Sequence, residues 1–229
     1  MALSGLFRFV VFPALVAGLL VSTQLKGQQN DAGLWASVSF EAKVAKRLSA
    51  KISEEFRFYE NISELGTSFT EACLEYKINK YLQVSANYRF TQRKRLDDYY
   101  SFRHRIYVDV KYSKKLKPFE LSWRGRFQDQ YSDIGRASDG GVAEYYFRNK
   151  FSLKWDLDKA YSPYLSFELF SPLDYPRYSV FDNLRATAGI EYSISKHQKI
   201  DLYYMIQKEI NVSRPDTYFI LGIGYFYKL

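Results

Sequence analysis

A chain of 229 residues has room for one closed β domain. Its 21 Tyr and 18 Phe, set against 25% charged residues, are more aromatic surface than a single soluble sandwich core would be expected to need. The net charge of +8 is dispersed rather than gathered in a patch, which argues against a nucleic-acid partner, and a single cysteine, Cys73, excludes an internal disulfide framework.

In chain order, residues 1–27 come first. Arg8 precedes an apolar run from Phe9 to Val21, and the chain then turns polar at Ser22, Thr23 and Gln24. That order reads as a secretory signal peptide cut near Gly27, leaving 28–229 as one barrel domain. The competing reading is a membrane anchor, but the run is shorter than the ~20 residues a spanning helix needs and Pro13 interrupts it. With no cysteine before Cys73, a lipoprotein anchor is not expected.

After a first segment from Leu34 to Lys43, the chain alternates apolar and polar residues with the period of two that marks a strand with one apolar face. Leu82, Val84, Ala86, Tyr88 and Phe90 alternate with Gln83, Ser85, Asn87, Arg89 and Thr91. Ile106, Val108 and Val110 alternate with Arg105, Tyr107 and Asp109, and Leu121, Trp123 and Phe127 with Glu120, Arg124 and Arg126. The pattern continues through Tyr145 to Trp155 and Leu184 to Tyr192, then ends in Tyr218–Leu229 with Phe219, Leu221, Ile223, Tyr225 and Tyr227 on one face. Most segments reach the ~9 to 11 residues that a tilted membrane strand requires.

Short links are expected near Lys46, Asn79–Lys80, Lys114–Lys115, Asp158–Lys159 and Lys196–His197. Longer ones are expected at 61–66, 94–98, 129–141, 171–181 and 211–216. Strict parity of short and long connections fits short periplasmic turns and longer outer loops. The predicted fold is all-β, a single transmembrane antiparallel up-and-down barrel. The segments number about eleven, but bacterial single-chain barrels have even counts, so 10–12 strands are expected with twelve favoured.

Gly33-Leu34-Trp35, Tyr88-Arg89-Phe90, Arg93 to Asp98, Arg103-His104-Arg105, Arg148-Asn149-Lys150, Pro163 to Glu168, Asp182-Asn183-Leu184-Arg185 and Gly222-Ile223-Gly224-Tyr225 occur in that order. In this the chain resembles an uncharacterised outer-membrane barrel family, domain of unknown function 2490, over essentially all of its mature length. The resemblance implies a barrel in the outer membrane of a Gram-negative cell and carries no established activity.

Candidates for chemistry are few. A lipase-like barrel needs a Ser nucleophile with a positioned His, and a protease-like one needs acidic pairs with a His. His104 shares the phase of Phe102 and Ile106, toward lipid, and His197 falls in a periplasmic turn. Asp97 and Asp98 form a possible acid pair in an outer loop beside Arg93, Lys94 and Arg95. No catalytic, cofactor or metal site is expected, because no His, Cys and carboxylate cluster has ligand spacing. Gly222-Ile223-Gly224 lacks the rest of a phosphate loop and reads as a place of close packing inside the barrel or of a local bend.

The phase directs many charges inward. Predicted lumen-lining residues are Arg57, Glu75, Arg89, Arg103, Arg105, Arg124, Arg126, Arg148, Lys150, Glu168, Arg185, Glu191 and Glu209. They fit either cross-strand ion pairs that fill a structural barrel or a narrow path whose basic surplus favours small anionic solutes. The rivals are an outer-membrane hydrolase acting on lipid or peptide, and a soluble periplasmic β-protein. Expected partners are outer-membrane lipid, the barrel-insertion machinery during biogenesis, and small anionic solutes.

Overall fold

The computed structural model describes residues 30–94, 99–132, 144–157, 160–174 and 181–229. The signal-peptide segment, the Asp97–Asp98 pair and the Asp158–Lys159 link lie outside the described residues.

Among the described residues there are eleven strands: β1 Asn30–Ala45, β2 Leu48–Tyr59, β3 Glu64–Lys77, β4 Leu82–Lys94, β5 Tyr100–Leu116, β6 Phe119–Ser132, β7 Glu144–Trp155, β8 Tyr161–Pro172, β9 Asn183–Ser193, β10 Gln198–Glu209 and β11 Thr217–Lys228. They form one closed barrel in which every sequential pair is antiparallel and β1 closes on β11. Eleven falls within the expected range, but the favoured twelve is not what forms. The segment from Leu34 to Lys43 is a full wall strand. Direction reverses at each step round an up-and-down barrel, so with an odd count the two end strands meet pointing the same way. β1 and β11 are accordingly parallel, from Asn30↔Thr217 to Glu41↔Lys228.

That closing pair has no connecting turn, and parallel pairing is slightly the weaker kind. The closure is reinforced in the middle and at its far end, and at its start β1 is held by the turn that follows β2. At one end Asp31 accepts from the backbone N–H groups of Glu60 and Asn61 at 3.1 and 2.9 Å, fastening β1 to a turn in which Glu60, Asn61 and Ile62 all have positive φ. In the middle Trp35, Met205 and Ile220 form a buried apolar cluster. At the other end the Lys228 ammonium meets Glu41 at 2.6 Å, and the Leu229 N–H donates to the Glu41 carbonyl at 2.8 Å.

The distribution of polarity is inside out. Ile106 and Leu165 are 55% and 59% exposed on the outer face, whereas Arg148 and Glu168 inside are 5% exposed. Paired rings stand outside toward each end: Phe119 with Trp155 at 5.8 Å and Tyr81 with Tyr112 at 6.1 Å near the short turns, Phe90 with Phe102 at 5.5 Å nearer the long loops. The short link expected at Lys114–Lys115 falls instead at Lys117–Pro118, since β5 runs on to Leu116 and Pro118 cannot donate to a ladder. Likewise β3 begins at Glu64, so the 61–66 link is shorter than expected and Gly66 lies within a strand. The close packing expected at Gly222 is present: Tyr203, its register partner, lies over it so that an added Cβ would stand 2.0 Å from the ring.

Candidate functional site

The lumen holds a cavity of about 1480 Å³. Of the predicted lining residues, Arg57, Arg89, Arg103, Arg105, Arg124, Arg126, Arg148, Lys150, Glu168, Arg185 and Glu209 face it. Glu75 and Glu191 do not line it and sit nearer the short-turn end, where Glu191 meets the Lys154 ammonium at 2.5 Å.

The walls carry a girdle of stacked arginines and aromatic rings to which β1 through β9 contribute one side chain each, in chain order. Arg57 lies 3.6 Å from the Trp35 ring centroid and 4.9 Å from that of Phe69. Arg89 lies 3.7 Å from Phe69 and 6.0 Å from Tyr107, which takes Arg126 at 3.8 Å on its other side. Arg126 stands in register with Arg148, Arg148 lies 4.1 Å from Phe170, and Arg185 closes the circle at 4.8 Å from Phe170 and 5.3 Å from Trp35. Met205 of β10 and Ile220 of β11 fill the remaining gap against Trp35. Trp35↔Arg57, Arg126↔Arg148 and Arg148↔Phe170 are direct register partners, and the other neighbours on adjacent strands stand two residues off, a diagonal that long side chains and rings span. Each desolvated guanidinium-on-ring contact is worth roughly 0.5 to 2 kcal/mol, so the girdle is a set of cooperating walls rather than a loose fringe.

Carboxylates hold the guanidinium edges. Glu55 meets Arg57 at 2.6 Å, Glu71 meets Arg89 Nε at 2.7 Å, and Asp109 takes Arg126 in a two-point contact at 2.7 and 2.8 Å. Glu168 serves three cations: Arg124 at 2.5 Å, Arg148 at 2.8 Å and Arg185 at 3.9 Å. Glu168 on Arg124 and Arg148, with Asp109 on Arg126, offsets the repulsion within the like-charged cross-strand pairs Arg126↔Arg148 and Arg124↔Lys150. Arg89↔Arg105 is a third such pair. Arg105 differs from its neighbours: its Nε donates at 3.0 Å, and its Nη2 also donates, to the neutral Gln130 carbonyl oxygen. The Gln130 amide nitrogen in turn donates to Glu144 at 2.9 Å.

Four ring members, Trp35, Phe69, Tyr107 and Phe170, were not among the sequence candidates. Their signal was available, since Phe69 shares the phase of Glu71 and Phe170 that of Glu168. The histidines lie away from the cavity. His104 Nδ1 is 2.8 Å from the Tyr88 hydroxyl on the outer face, and His197 Nδ1 is 2.8 Å from the Lys228 carbonyl at the short-turn end.

Residues 32–218 match the family described as a protein of unknown function, DUF2490. No curated protein matches the chain. Among solved structures, the β domain of the Bordetella autotransporter BrkA is similar with a TM-score of 0.50 and 12% identity, over 81% of this chain and 85% of that one. The NanC porin gives a TM-score of 0.49 and 10% identity, over 77% and 85%. The translocator domain of the autotransporter NalP from Neisseria meningitidis gives 0.41 and 10%, over 76% and 71%. The likeness to the BrkA domain is one of fold.

Proposed function

The chain belongs to the family of unknown function DUF2490, and from that premise we propose that it is an exported outer-membrane barrel whose lumen passes small anionic solutes. An apolar outer face on strands of 11 to 17 residues suits a bilayer, in which only helices and closed barrels satisfy the backbone. Outer-membrane lipid would surround the barrel, and the insertion machinery would assemble it.

The observation that carries the anion reading is the girdle together with the space inside it. Arginines stand over rings along the wall, and the cavity also reaches Lys51 and Asp201. Among its described lining residues, twelve Lys and Arg stand against nine Asp and Glu. A charged lining of one net sign sets which ions enter a pore, and here the surplus is positive. The reading assigns the barrel no catalysis.

Single-channel recording in planar bilayers tests it, with reversal potentials measured across a potassium chloride gradient. Stepwise conductance with anion preference is expected, weakened in Arg124→Glu and Arg126→Glu. Folded, inserted protein that passes no current would leave a structural barrel with a charge-filled lumen.

A further inference from the structure

Arg105 is held differently from the girdle arginines. Arg57, Arg89 and Arg126 each have a carboxylate on their own or an adjacent strand, whereas both hydrogen bonds from Arg105 go to the carbonyl oxygen of one carboxamide. Glu144 can only accept, so its contact with the Gln130 amide nitrogen fixes the amide with its oxygen toward Arg105. The result is a guanidinium that is oriented without being neutralised. A guanidinium has five N–H donors, and two serve Gln130. The rest have no carboxylate acceptor within ion-pair reach among the described residues, in a cavity that Arg105 lines. Directly opposite Arg105 on β4 stands another cation, Arg89.

We propose that Arg105 is the anchor of a saturable oxyanion site that takes the carboxylate or phosphate group of a small organic solute. The proposal rests on the anion-path reading for access and adds a binding step to it. A planar fork of donors matches two oxygens of a carboxylate or phosphate and gives a halide no such geometry, so oxyanions should be held where chloride only passes. The cavity exceeds the few hundred Å³ that small-molecule sites begin at, leaving room for the rest of the solute beside the anionic group.

The test is isothermal titration calorimetry on the full-length protein folded in detergent, with potassium phosphate and potassium acetate as probes and potassium chloride as control. Wild-type protein should bind both oxyanions saturably and chloride not at all. Arg105→Gln should weaken binding by about tenfold or more, the scale of a hydrogen bond to a charged group. Gln130→Glu should do the same with the guanidinium still in place, because it supplies a competing carboxylate. Heat-modifiable migration on gels verifies that each variant is folded. Unchanged affinity in both variants, or no saturable oxyanion binding by wild type, overturns the site. Anion-selective current without saturable binding would sink this proposal and leave the pore reading standing, whereas saturable binding without current would do the reverse.

Discussion

Glu168 is the residue on which the charge arrangement of β6 to β9 turns. One carboxylate faces guanidinium groups from three strands, and breaking such a buried arrangement by removing one partner leaves the others uncompensated. Glu168→Gln keeps shape and removes charge, so it should destabilise the barrel by roughly 3 kcal/mol or more, read as a lower urea midpoint for unfolding from lipid vesicles. A midpoint within about 0.5 kcal/mol of wild type would mean that water in the cavity screens these arginines already. Phase alone sent Arg124, Arg148, Glu168 and Arg185 inward from sequence. It could not show that they share one acid, because the partner of a strand residue is set by register between segments distant in the chain.

At the scale of the strand, a carboxylate on the outer face of β2 breaks the alternation. Glu54 and Glu55 are consecutive on β2, so a period of two must turn one of them away from the lumen. Glu55 faces Arg57, and Glu54 stands outside, accepting from the Thr70 hydroxyl at 2.5 Å between the exposed Ile52 and Phe56. The adjacency of the two glutamates is readable in the sequence, since a period of two cannot send both inward. A carboxylate on a lipid face costs free energy in a way that depends on depth. In a bilayer, Glu54→Leu should therefore stabilise the protein by on the order of 1 kcal/mol, measured by the same vesicle unfolding. Destabilisation by Leu would show instead that this face of β1 to β3 meets a polar partner.

Among the described residues eleven strands form and not the favoured twelve, and the cause lies at the level of the whole molecule. A turn between two strands leaves a local signal of polar residues, but the pair that closes a barrel has none, so nothing near β1 or β11 in the sequence reports how they meet. Parallel closure has a consequence for sidedness. Asn30 pairs with Thr217 at the long-loop end, while Lys46 lies in the turn after β1 at the opposite end. If long loops face outward, as in outer-membrane barrels generally, the start of β1 is at the cell surface rather than in the periplasm. With Cys73→Ser removing the native thiol, Asn30→Cys should react with a membrane-impermeant maleimide on intact cells. Lys46→Cys should react only after the outer membrane is opened. The reverse pattern, Lys46→Cys labelled on intact cells and Asn30→Cys protected, would place the long loops and the shared start of β1 and β11 on the periplasmic side.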